Sequence, residues 1–183
     1  MSESLAVVVS AFPLVAFSGS RSLPAASAAA LRRSAGWVSE SAGVVVGCAR
    51  GADALARSLF PAAEVFAVAS GRWGVGRSAF ARRSAAVVAA AVAGGGLWLS
   101  FPAGPCPSAV RPSSSASRCF CGAAAGSWSS LALAVGRGVP SLVFLPSASP
   151  VPSGLSAVGG GWFCCSRLAP RLGVALSRQL SLF

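Results

Sequence analysis

Residues 44–56, VVVGCARGADALA, constrain the fold more than any other stretch. The apolar triplet Val44, Val45 and Val46 has the continuous character of a strand buried on both faces. It runs into Gly47 and Gly51, which bracket Arg50. Then come Asp53 and a helix-compatible run through Leu55, Ala56 and Leu59. A strand, a tight glycine turn and a helix N-terminus together aim backbone N–H groups at an anion. Residues 14–22, LVAFSGSRS, repeat the pattern upstream. Two such turns, each after a β-run and before a helical run, predict a parallel sheet with its ligand site at the strand C-termini.

The rest of the chain continues the alternation. Short apolar runs predict strands at 15–17, 44–46, 65–69, 97–101 and 142–145. Helix-compatible runs lie between them, at 24–35, 52–59, 78–93 and 127–136. Pro24 suits a first helical turn. Gly136 and Gly138 suit a helix stop before Pro140. The expected fold class is α/β, a Rossmann-like doubly wound parallel sheet with right-handed crossovers in a single domain over residues 1–146. Residues 104–117 form a Pro/Ser-rich loop of a length that suggests a functional flap or a mobile insertion. Residues 147–183 read as a Pro/Gly/Ser-rich C-terminal extension. Its apolar cluster, Trp162-Phe163-Cys164-Cys165, could add an edge strand.

An unusual alphabet changes how charge is read. The chain lacks Lys, His, Tyr, Asn, Ile and Thr, and every codon for these residues contains adenine. The same is true of Asp, Glu, Gln and Met, which occur only at Met1, Glu3, Glu40, Asp53, Glu64 and Gln179. A coding strand depleted of adenine is the simplest account. All 15 basic residues are Arg, which can be encoded without adenine, and the net charge is +11. A pI near 11.6 ordinarily points to nucleic acid. Here coding bias alone pushes the charge positive, so charge is weak ground for that partner. The mean hydropathy of +0.70 is inflated in the same way. Conversely, an acidic residue retained inside a motif gains interest, and Asp53 is the clearest case.

Cysteines and apolar runs set further expectations. The cysteines at 48, 106, 119, 121, 164 and 165 form no CxxC pair, and no His completes a zinc site. Free thiols in a reducing cytoplasm are expected, with no metal and no cofactor. Residues 5–17 are apolar, but no basic segment precedes them and no convincing cleavage site follows. Residues 84–101 are 18 uncharged positions, near the minimum for a membrane span. Gly94-Gly95-Gly96 splits them into a helix and a short LWLSF strand, so no membrane partner is expected.

Four groups converge on one face in this topology. Ser18, Gly19, Ser20 and Arg21 could cradle and pair with a phosphate. Gly47, Arg50, Gly51 and Asp53 form the second turn; Asp53 could accept ribose hydroxyls or cap the helix. Arg82 and Arg83, in the early turns of a helix, lie where the helix dipole disfavours cations, so an anion is suspected there. Trp73 nearby could stack on a base or simply pack. Gly126 and Ser127 open a late helix after a small-residue loop that permits close backbone approach. Ser129 and Ser130 add hydroxyls. No residue is assigned a catalytic role.

Taken together, these residues resemble the SLOG superfamily, the Rossmann-like group that includes the DprA family and the cytokinin-activating LOG proteins. The motifs concerned are the GSR turn at 19–21, the GCARGAD turn at 47–53, ARRS at 81–84 and GSWSSLALAVGRGVPSLVFLP at 126–146. The resemblance covers roughly residues 14–146. It implies a nucleotide or nucleotide-derived ligand, held at the strand C-termini by a sensing or binding module. It also carries two alternatives: DprA-like single-stranded DNA binding, and LOG-like hydrolysis of a nucleoside monophosphate. LOG enzymes carry a PGGxGTxxE motif with a catalytic Glu, whereas the matching AAAGSWSSL has no carboxylate. Ser84 stands where the family usually has Asn. Family members often form homodimers.

Overall fold

The computed structural model describes residues 2–146 and 154–173. The remainder of the expected C-terminal extension, 147–153 and 174–183, lies outside the described residues. Strands β1 (Leu14–Gly19), β2 (Gly43–Gly47), β3 (Glu64–Phe66), β4 (Leu97–Phe101) and β5 (Ser141–Phe144) are all parallel. With β6 (Leu155–Gly159) and β7 (Trp162–Cys165) they form one seven-stranded sheet in the order β3-β2-β1-β4-β5-β7-β6. The chain winds outward from β1 to β3, then returns past β1 to β4 and β5. That reversal between β1 and β4 is where open α/β sheets leave a crevice beyond the strand C-termini. The fold is the Rossmann-like, doubly wound α/β arrangement expected from the alternation.

Alternation along each strand divides the core into two layers. Val15, Phe17, Val44, Val46, Leu97, Leu99 and Phe101 face α1 (Ser2–Ser10), α2 (Ala25–Ala35) and α3 (Ala52–Leu59). Ala16, Val45, Trp98 and Val143 face α4 (Arg77–Ala93) and α6 (Gly126–Gly136), with the short α5 (Ala116–Cys119) beside them. Both faces of the central strands are thus covered, which is why these strands read as unbroken apolar runs. Residues 84–101 resolve into the end of α4, the Gly94-Gly95-Gly96 turn and β4. Among the described residues no helix is long and apolar enough to cross a membrane.

Three features depart from the sequence reading. The first is α1, which had no counterpart: Val7-Val8-Val9 is a β-branched run with poor helix propensity. Its helical form buries Leu5 and Val9, one turn apart, while Arg171 lies 5.1 Å over the Phe12 ring. Tertiary packing overrides local preference here. The second is β3, which is shorter than residues 65–69. It ends at Phe66, and Val68–Ser70 form a 3₁₀ turn closed by Gly71 at φ 74°. An edge strand paired on one side has fewer ladder bonds to extend it. The third is the cluster at Trp162–Cys165, which is internal to the sheet. It pairs antiparallel with β5, and β6 forms the edge. Residues 154–165 therefore belong to the same sheet as the rest of the fold.

The loop at 104–117 packs on α6. The Trp128 indole N–H donates to the Gly104 carbonyl at 3.0 Å, and Arg137 Nε donates to Ser114 at 3.2 Å. Gly136 is needed there, because a Cβ would overlap the backbone of Ser113.

All six cysteines are unpaired thiols, with Cys121 exposed and Cys119, Cys164 and Cys165 buried. Burial, with Cys165 alongside, pushes the Cys164 thiol up to about 11. Since the thiolate is the nucleophile, Cys121 is expected to react first with a thiol reagent on the native protein. Cys164 and Cys165 should label only on unfolding. Mass spectrometry of labelled peptides checks this order.

Candidate functional site

The two glycine turns join at the sheet's C-terminal edge. Ser20 N–H donates to the Phe101 carbonyl at 2.9 Å, carrying β1's pairing beyond the strand. Ala52 N–H, at the start of α3, donates back to the Ser20 carbonyl at 3.0 Å. Gly51 permits this approach: its φ is 73°, and a Cβ would run into the backbone of Ser20 and Arg21. Gly19 is packed similarly, against Ala52 Cβ and the Phe101 carbonyl.

Between these turns and the first turns of α4 and α6 lies a cavity of about 470 Å³. Eight of the sequence-predicted site residues are on its wall: Ser18, Gly19, Ser20, Arg21, Asp53, Arg83, Gly126 and Ser127. Four are not. Gly47 is buried beneath the wall, Gly51 spaces the two turns, and Arg50 is exposed away from the cavity. Arg82 is also exposed, its guanidinium donating to the Trp73 carbonyl at 3.2 Å. Trp73 itself packs: its ring stacks on Phe66 at 6.0 Å and its indole N–H donates to Ala67. The loop expected to form a flap, residues 104–117, contributes nothing to this wall.

The charged centre of the cavity is an ion pair. Arg83 Nη1 lies 3.2 Å from Asp53 Oδ2, and both side chains are more than nine-tenths buried. The same carboxylate oxygen accepts the Ala49 N–H at 3.1 Å. Asp53 therefore bonds the turn before its helix and does not cap α3, whose N-cap is Gly51 with no side-chain cap bond. Gly47 leaves room for the pair, since a Cβ there would overlap both Arg83 Nη1 and Asp53 Oδ2. Arg57 braces the turn by donating to the carbonyls of Gly47 at 2.8 Å and Ala49 at 3.2 Å. Arg83 Nε is buried and has no hydrogen-bond partner among the described residues.

Other walls add polar and aromatic surface. Ala125, Gly126 and Ser127 begin α6, and no side chain caps that end. Ser129 and Ser130 also line the cavity, with Ser130 donating to Gly126 at 2.6 Å. Phe80 and Phe120 line it as well, and the Arg21 guanidinium sits 4.9 Å over the Phe80 ring. Sequence reasoning missed both phenylalanines, because isolated Phe residues have no periodic or motif signal. It also missed the Arg57 brace, which exists only once the turn has closed.

Burial is the largest influence on Asp53 and pushes its carboxyl above the ordinary 3.8; Arg83, the Ala49 N–H and Arg57 pull it back down. The folded chain thus holds this proton more tightly than the unfolded chain. As pH rises from 3.8 through the folded-state value, the native state loses its excess proton. Asp53's contribution to stability therefore falls across that window and is constant above it. Asp53→Asn should remove this component from the pH dependence of urea unfolding. Superimposable pH profiles for variant and wild type would contradict the assignment.

The fold and site define an α/β protein with a polar, arginine-bearing cavity at the topological switch point of a parallel sheet. No family model, curated protein or solved structure compared with the chain matches it.

Proposed function

We propose that this protein binds a nucleotide or nucleotide-derived ligand by its phosphate, as a sensing or binding module of SLOG type. The observation that carries the reading is the buried Nε of Arg83, a cavity-lining residue, left without a partner among the described residues. An unpaired buried donor costs about 1–3 kcal/mol, and a ligand oxygen would satisfy it. The uncapped start of α6 supplies backbone N–H groups and a favourable dipole for the same anion. Arg21 adds a second guanidinium, and Ser18, Ser20 and Ser127 add hydroxyls. Phe80 and Phe120 offer apolar surface to a base. A cavity of about 470 Å³ falls in the size range of small-molecule sites.

Binding is favoured over hydrolysis by the scarcity of acid–base groups on the wall. Among the described residues Asp53 is the one carboxylate on the wall, and its Oδ2 is engaged by Arg83 and Ala49. No second carboxylate, His or Tyr stands beside it on the described wall to complete a general acid–base pair. A DprA-like single-stranded DNA reading draws on Arg50 and Arg82, which are exposed and lie off the wall.

The test is a thermal-shift screen against mononucleotides, dinucleotides and short single-stranded DNA, with Arg83→Gln alongside. A ligand that binds only the native state raises the melting temperature by mass action. A selective shift with a nucleotide, lost in Arg83→Gln, is the expected result. A shift with DNA alone that collapses with added salt would favour the strand-binding reading. No shift with any ligand would refute both.

A further inference from the structure

We infer, on the footing that the cavity binds phosphate, that Asp53 is a positioning residue: it holds Arg83 by one guanidinium nitrogen so that the opposite edge faces the ligand. A guanidinium presents its donors in a rigid planar fork. Nη1 lies on one side; Nε–H and one N–H of Nη2 point together on the other, a side-on pair matched to two oxygens of a phosphate. Asp53 Oδ2 takes Nη1 at 3.2 Å. Nε is buried with no partner, and Arg83 is on the cavity wall. The bond that exists and the bond that is missing therefore fall on opposite sides of the same group.

The surroundings of Asp53 suit an anchor. Its Oδ2 also accepts the Ala49 N–H at 3.1 Å, so the carboxylate is tied to the turn. That turn is held in turn by Arg57, through the carbonyls of Gly47 and Ala49. Gly47 is the residue whose lack of a side chain lets the carboxylate and guanidinium meet. Both of its protein bonds fall on Oδ2, the oxygen that holds Arg83, so the anchoring role belongs to that oxygen. The acid retained in this chain's second glycine turn would thus serve a neighbouring arginine through Oδ2.

Shape and charge make opposite demands on the variants, which gives a clear test. Asp53→Asn keeps an oxygen for Nη1 and for Ala49 but removes the negative charge. Asp53→Ala removes the anchor altogether. Asp53→Glu keeps the charge and displaces the guanidinium. Inorganic phosphate is the probe, with affinity measured by calorimetry and the Arg83 Nε–H resonance followed by ¹⁵N NMR. In wild type, phosphate should shift that resonance. Asp53→Ala and Asp53→Glu should each bind about tenfold or more weakly, the scale on which losing an outer-shell partner weakens a metal site. Asp53→Asn should rescue binding and keep the resonance shift. In an Arg83→Gln background, Asp53→Ala should have no further effect.

Wild-type affinity in Asp53→Ala or Asp53→Glu would overturn the positioning role while leaving the phosphate reading intact. If Asp53→Ala does not fold, Asp53→Glu decides the same point. Equal loss in Asp53→Asn and Asp53→Ala, with the Nε resonance still shifting, would make Asp53 a direct ligand contact and also overturn it. No phosphate binding and no resonance shift in wild type would overturn the phosphate reading and the inference together.

Discussion

Replacing Arg83 with leucine is expected to destabilise the fold by about 3–5 kcal/mol at neutral pH. The reason is the partner it leaves behind. Asp53 is 4 % exposed and its carboxylate would lose the facing guanidinium. A buried charge without a partner must bear its desolvation alone or take up a proton, and either costs free energy. In a chain of this size the loss corresponds to a melting temperature lower by roughly 6–20 °C. Removing both charges should be far milder, because an ion pair already offsets much of its attraction with desolvation. Asp53→Asn combined with Arg83→Met keeps an acceptor for the Ala49 N–H and fills the space with an apolar stem. That double variant should recover most of the stability lost by Arg83→Leu. Urea unfolding of wild type, Asp53→Asn, Arg83→Met and the double variant would measure the coupling directly. Additive effects would mean that the two side chains do not depend on each other.

Gly51→Ala should cost about 2–6 kcal/mol, and it acts through backbone. At φ 73° and ψ −123° an L side chain is strained by about 1–3 kcal/mol. The added Cβ would also strike the Ser20 and Arg21 carbonyl groups, which are main chain and cannot swing away. Overpacking of that kind adds about 1–3 kcal/mol. The two glycine turns are joined by the Ala52 to Ser20 hydrogen bond, so pushing them apart would also distort the cavity wall. Gly104→Ala is the control: it has open space around its Cβ position and no positive φ, and it should be nearly neutral. Chemical denaturation of both variants checks the contrast. Equal stability of Gly51→Ala and Gly104→Ala would show that the turns relax apart without penalty.

Much of this molecule was legible in the sequence for identifiable reasons. Five parallel strands and four helices follow from short apolar runs separated by helix-compatible ones, because a strand covered on both faces has no polar side to show. The switch point follows from the glycine turns. Ser18 to Arg21, Asp53, Arg83, Gly126 and Ser127 could be placed on one face because each adjoins a strand end or a helix start. The parts that were illegible depend on partners distant along the chain. A valine-rich segment became α1 because Leu5 and Val9 found the core. The Trp162 cluster became an internal strand because β5 offered an open edge. Arg50 and Arg82 looked equivalent to Arg21 and Arg83 as letters, and only the helix phase and turn geometry separate the pairs.

The sequence by itself determined the layered α/β architecture and the edge of the sheet where a ligand would sit, since period, glycine and strand length are local properties. Only the tertiary structure decided what Asp53 does. Its partner is 30 residues away along the chain, and the space for their contact is the missing side chain of Gly47. A buried charge takes its role from whatever neutralises it, and folding brings that group into place.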